Sequence, residues 1–226
     1  MPRTLFPVQL KLTFYSATEL PEMMTEFLST VSKKILRFDD WEPADPYIEV
    51  TYNAIEARTD HRNGTSPMWG EAIYLIGQFP PLVRTMKISI KDHAAVQQDR
   101  VIASFLLDLF SISESNPTMG FLPTLGPTWI FLYGSPREYT INRSNDGLDR
   151  GLGEAVCYRG RLLMQIDCQP ISGDQTSNNN VQKETGIQLP EPVRDSLQRF
   201  FEFSLFIYRL IFLCNEHLFY LAVYSM

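Results

Sequence analysis

The sequence predicts an all-β protein: an eight-stranded antiparallel sandwich with one helical insert and an apolar helical tail. Three observations carry this reading. The first 170 positions read as strands and turns, with apolar and polar residues alternating at period two in Val8–Tyr15, Tyr47–Tyr52 and Met86–Lys91. Turn-forming pairs such as Asn63-Gly64, Ser66-Pro67 and Pro80-Pro81 divide the alternating segments. No helical pattern recurs between successive strands, so a parallel plan with crossover helices is excluded.

Taken in order, the first strand is Val8-Gln-Leu-Lys-Leu-Thr-Phe-Tyr, whose alternation marks a half-buried strand. Glu22 to Asp40 breaks the rhythm. Met24, Phe27, Leu28, Val31, Ile35 and Phe38 recur there at three- and four-residue spacing, with Lys33, Lys34 and Arg37 between them. This predicts an amphipathic helix over 22–40, inserted in a loop, that caps its own sandwich or meets a membrane surface or partner. Tyr47-Ile-Glu-Val-Thr-Tyr follows as the second strand, and the polar Glu56-Ala-Arg-Thr-Asp-His as an edge strand. Ala72–Gly77, Met86–Lys91, Val101–Leu107, Trp129–Tyr133 and Arg161–Asp167 complete the eight.

Residues 1–170 therefore read as one domain. The stretch 171–190 contains Asn178-Asn-Asn and is rich in Ser, Asp, Gln and Thr, the composition of a disordered linker. Residues 191–226 read as an apolar helix, richest in aromatics and leucines from Phe200 onward. A spanning helix wants about 20 apolar residues. Arg209 and Asn215-Glu216-His217 interrupt this one, and a mid-bilayer acidic residue costs about 2.5–3.5 kcal/mol. Three readings of the tail stay open: a membrane anchor, a helix packing into a further domain, and a disordered or frame-altered end.

Composition narrows the function. Of 226 residues, 44% are hydrophobic and 20% charged, enough to bury a core. The net charge of −6 supplies no basic field for nucleic acid, so no nucleic-acid partner is expected. Three cysteines form no disulfide framework, and the start of the chain resembles no secretory signal. Both features fit a cytoplasmic setting, where the sequons at Asn63 and Asn142 would be chance. The three histidines are scattered in sequence. Gly151-Leu-Gly-Glu-Ala-Val lacks the third glycine of a dinucleotide loop, and Gly-x-Ser-x-Gly is absent around Gly134-Ser135-Pro136. No catalytic constellation is present, and a binding module is expected rather than an enzyme.

Several segments resemble a known family. Asp45-Pro46-Tyr47-Ile48-Glu49-Val50 is similar to the C2-domain signature in which Asp-Pro-Tyr opens a core strand after the first ligand loop. Asn63 to Glu71, with Trp69 and Glu71, resembles that family's Asn-Pro-x-Trp-Asn-Glu turn. Gly120 to Glu138 and Gly151 to Leu163 are similar to segments of the ferlins, a narrower group of long multi-C2 proteins. The resemblance covers residues 5 to 168 and weakly Arg194 to Phe206. It implies a C2-type sandwich, with the helical insert in loop 1. It also implies a role in calcium-linked membrane fusion or repair at the cytoplasmic face of plasma membrane or vesicles, with the tail as a candidate anchor. One such domain would make this chain a fragment, a short isoform or an incomplete gene model.

In C2 domains, calcium is held by about five carboxylates from two loops. The ion itself wants six to eight oxygens at roughly 2.3–2.6 Å. Asp45 matches the second aspartate of the first loop. The first ligand position falls on Met24 if the helix is an insertion, or on Asp39 or Asp40 if the loop is read straight back. Loop three follows Asp-x-Asp-x5-Asp in the family. Asp92 matches its start, but Ala94 stands at the second position and Arg100 at the third, with Asp99 one residue away. Asp39, Asp40, Asp45, Asp92 and Asp99 therefore make at most a weak, incomplete calcium site, and no firm cofactor is expected. Turn hydrogen bonding is the plainer role for Asp45 and Asp92.

Ala94, Ala95 and Val96 would make the loop tip apolar and able to enter a bilayer without a metal. Basic residues such as Lys87 and Lys91, with Arg58, Arg62 and Arg84, would each add about 1 kcal/mol at an anionic leaflet. The expected partner is an anionic phospholipid membrane, together with other C2 domains or fusion proteins. The alternative is a protein–protein scaffold with no lipid contact.

Overall fold

The computed structural model describes residues 5–22, 44–93, 99–113, 122–136, 146–150, 152, 155–171 and 181–189. Among these are strands β1 (Phe6–Thr18), β2 (Pro46–Tyr52), β3 (Ile55–Arg58), β4 (Met68–Phe79), β5 (Thr85–Asp92), β6 (Arg100–Asp108), β7 (Leu125–Gly134), β8 (Cys157–Pro170) and β9 (Gln182–Glu184). One short helix, α1 (Asp146–Asp149), precedes β8. The helical insert at 22–40 and the tail at 191–226 lie almost wholly outside the described residues. The chain divides into Met1–Ile187 and Gln188–Met226, and the sandwich belongs to the first unit.

All eight expected strands form, and all pair antiparallel. One sheet runs β7-β8-β1-β4-β9 and the other β3-β2-β5-β6. The alternation read from sequence is the reason. On β1, Val8, Leu10, Leu12 and Phe14 point inward. Ile73 and Leu75 of β4, with Leu162, Met164 and Ile166 of β8, do the same. Ile48, Val50, Met86, Ile88, Ile90 and Ile102 answer from the other sheet, so two apolar faces close one core. As expected, polar β3 is an edge strand.

β9 is the ninth strand, and it falls in the stretch whose composition suggests a linker. Its residues Gln182, Lys183 and Glu184 are all polar and exposed, so no apolar alternation marks it. Backbone pairing with Ala72, Ile73 and Tyr74 holds it instead. Lys183 lies 3.5 Å from Asp60, and Glu184 accepts hydrogen bonds from Lys11 and the Tyr74 hydroxyl. Ile187 then donates its N–H to the Gly70 carbonyl at 2.8 Å.

Gly70 has φ of +58°, and a Cβ there would stand 2.7 Å from the Ile187 carbonyl oxygen. Both features require glycine. Gly70→Ala is expected to cost about 1–3 kcal/mol and to release β9 selectively. Faster amide exchange at 182–187, with the core strands unchanged, would show it.

Cys168 is buried on β8, and burial pushes its thiol up to about 12. The thiolate is the reactive form, so native Cys168 is expected to resist iodoacetamide at pH 8 while the partly exposed Cys157 is alkylated. Equal labelling of both without denaturant would contradict this packing.

One end of the sandwich gathers the loops. Ala17 N–H bonds Pro67 O, Leu20 N–H bonds Thr65 O, Gly64 N–H bonds Ala44 O and His93 N–H bonds Asp45 O, at 2.7–3.0 Å. The ends of β1 and β5 and the starts of β2, β4 and β6 therefore meet there. Thr18 pairs with Arg161 and Tyr133 with Tyr158, which brings the end of β7 and the start of β8 to the same place.

Candidate functional site at the loop end

Asp45 precedes β2, and Asp92 closes β5 opposite Pro46. Asp92 is nearly buried at 6% exposure, and both its oxygens are committed. Oδ1 accepts the Asp45 N–H at 2.8 Å, and Oδ2 lies 3.3 Å from the Arg100 guanidinium. Burial pushes the Asp92 carboxyl above its ordinary value, and the Asp45 N–H and Arg100 oppose that rise.

Asp99 is turned elsewhere. Its Oδ2 accepts the Tyr47 hydroxyl at 2.8 Å and its Oδ1 lies 3.3 Å from His93 Nδ1. Burial, reinforced by that hydrogen bond to a carboxylate, raises the Tyr47 phenol well above the usual range. His93 stacks on His61 with ring centroids 5.1 Å apart, so two histidines far apart in sequence share one surface. Beside them is a shallow cavity of about 310 Å³ lined by Tyr47, Arg58, Asp60, His61, His93 and Lys183.

The expected ligand residues are thus partly assembled. Asp45, Asp92 and Asp99 lie at one end, while Asp39 and Asp40 fall outside the described residues. Calcium does not fit the described set. A guanidinium stands against Asp92, and Asp99 is held by Tyr47 and His93. Among the described residues no three acidic, histidine or cysteine side chains group as metal ligands.

The expected membrane residues scatter. Ala94, Ala95 and Val96 lie outside the described residues. Lys91 is near this end but is paired to Glu49 at 2.6 Å. Lys87 lies opposite Thr51, further along β5, and Arg84 sits at the far end, bound to Asp108. Arg62 is taken by Glu71 at 2.7 Å.

That last pair explains the Trp69–Glu71 motif. Glu71 is 1% exposed, and its carboxylate binds the Asp60 N–H as well as Arg62. The loop from Thr59 to Pro67 is thereby pinned over the sheet end. The C2 domain model matches residues 8–124, which span strands β1 to β6 and these loops. The chain belongs to the C2 domain family.

Within that family its likeness is to ferlins. Mouse (Mus musculus) Fer-1-like protein 4 is 33% identical over 166 residues, covering 73% of this chain and 8% of that protein. Myoferlin of the same species is 32% identical over 192 residues, 74% of this chain and 9% of its own length. Human (Homo sapiens) myoferlin is 29% identical over 181 residues, covering 69% and 9%. The chain thus spans less than a tenth of these relatives. The ferlin resemblance read from the motifs is upheld.

The two ferlin-like segments of this C2 domain meet in a knot that sequence reasoning missed. Arg159, in the second segment, has no exposed surface. Its Nε donates to the Ile102 carbonyl and its Nη1 to the Ser135 carbonyl and hydroxyl. Asp149 of α1 lies 3.5 Å from Nε and accepts the Ser135 N–H and hydroxyl at 2.6 and 2.9 Å. A Cβ on Gly134 would strike both Arg159 and Asp149, so only glycine fits. The Gly134-Ser135 and Arg159-Gly160 motifs are thus one buried ionic lock joining β6, β7, α1 and β8. An arginine inside an apolar run was the available signal, but its carboxylate partner could not be chosen among 26 acidic residues.

Proposed function

We propose that this chain is a phospholipid-binding C2 module of a ferlin-like protein, acting at the cytoplasmic face of plasma membrane or vesicles in fusion or repair, with weak or no calcium binding of its own. The supporting observation is the Arg100 guanidinium against Asp92. A fixed cation occupies the acidic loop end, so the carboxylate there needs no metal to offset its charge. The ferlin relatives favour a membrane setting, and the tail at 191–226 is a candidate anchor.

Co-sedimentation of the full chain with phosphatidylcholine/phosphatidylserine vesicles, in calcium and in chelator, tests the reading. Equal pelleting in both is expected. Failure to pellet with any lipid composition would sink lipid binding and favour a protein scaffold. Pelleting only in calcium would sink the metal-independent part.

A further inference from the structure

The connection between β7 and β8 carries apolar side chains that no part of the core uses. Leu152 and Val156 are 70% and 79% exposed. The Leu152 N–H is tied to the Gly147 carbonyl at 2.8 Å, which fixes that residue beyond α1. On the adjoining outer sheet face, Phe131 and Tyr133 are also exposed, because alternation sends Leu132 between them into the core. Both rings pack on Tyr158, with centroids 6.4 and 6.3 Å away. Val156 lies two residues before Tyr158, so strand alternation brings it to the side of that aromatic group.

This patch lies at the loop end, where five acidic side chains each face a basic one. Asp92 faces Arg100, Glu71 faces Arg62, Asp60 faces Lys183, Glu49 faces Lys91 and Glu19 faces Arg161, all within 3.5 Å. An acidic loop end is ordinarily repelled by anionic headgroups until a cation neutralises it. Here basic side chains already do so for those five carboxylates. Exposed aliphatics and tyrosines, beside carboxylates that are paired to basic side chains, suit the boundary between headgroups and acyl chains.

We infer that Leu152 and Val156, with Phe131, Tyr133 and Tyr158, form a metal-independent membrane contact, in which the two aliphatic side chains enter the bilayer interface and the three rings rest on it. The inference rests on the membrane reading above and adds to it a contact outside the three C2 loops. It also moves the membrane-facing surface toward the five-stranded sheet.

The test uses the full chain with phosphatidylcholine/phosphatidylserine vesicles in chelator, read by hydrogen exchange and by partitioning. The expected result is slowed exchange in the peptide carrying Leu152 and Val156. Leu152→Glu/Val156→Glu should abolish that protection and weaken partitioning at least tenfold. Leu82→Glu, at an equally exposed apolar site in the turn between β4 and β5, should change neither. Both target side chains are exposed, so an unchanged melting temperature would confirm that the double variant folds.

Vesicle binding with no protection at the turn and no loss in the double variant would overturn the inference and leave the membrane reading standing. That outcome would reassign the patch to a protein partner. Absence of any vesicle binding would overturn both.

Discussion

Arg159→Met is expected to destabilise the domain by about 3–5 kcal/mol, the cost of removing one partner from a buried ion pair. The substitution removes the buried cation beside Asp149, whose side chain is only 8% exposed, and takes a donor from the Ile102 and Ser135 carbonyls. For a domain of this size the melting temperature should fall by roughly 6–20 °C. Arg159→Lys should lose most of the same stability, because an ammonium cannot reach the Ile102 carbonyl, Ser135 and the Asp149 carboxylate with one planar fork. Pairing Arg159→Met with Asp149→Leu removes both charges and should recover part of the loss. Urea unfolding of the four proteins measures this. A cost below 1 kcal/mol for Arg159→Met would show that the lock contributes little.

The second large effect concerns metal. Arg100→Asp replaces a cation with a carboxylate at the third position of the loop-three pattern, a local charge change of two. Two unit charges 4 Å apart interact by about 4 kcal/mol at an effective dielectric near 20, and calcium carries twice that charge. A gain of at least tenfold in calcium affinity is therefore expected by titration calorimetry. Arg100→Met, which removes the repulsion without adding a ligand, should fall between the two. Unchanged affinity in Arg100→Asp would mean that the geometry of Asp45, Asp92 and Asp99, rather than the cation, keeps calcium out.

What the sequence revealed depended on the kind of signal. β1, β2 and β5 were legible because alternation is a local consequence of one buried face. The same logic failed for β9, where Gln182, Lys183 and Glu184 contribute backbone pairing and ion pairs but no buried side chain. The arginine at position 100 was readable as a misfit in a ligand pattern, and in the fold it stands 3.3 Å from Asp92. The His61–His93 stack and the Asp149–Ser135–Arg159 lock were not legible. Each joins residues from separate elements, and no local periodicity records which side chains a tertiary fold will bring together. Leu152 and Val156 were hidden for another reason. An apolar residue looks the same in sequence whether it faces the core or the solvent.

β9 also sets a schedule for synthesis. Ala72 on β4 pairs with Glu184, so the outer edge of β4 cannot be covered until the chain beyond position 184 has left the ribosome. At the usual elongation rates of about 5–20 residues per second, that edge stays open for roughly 5–20 s after β4 itself emerges. Unpaired strand edges recruit other strands. The nascent domain therefore passes through an interval in which neighbouring chains on one messenger compete with its own β9 for β4. The glycine at position 70 leaves room for the Ile187 backbone once that segment arrives.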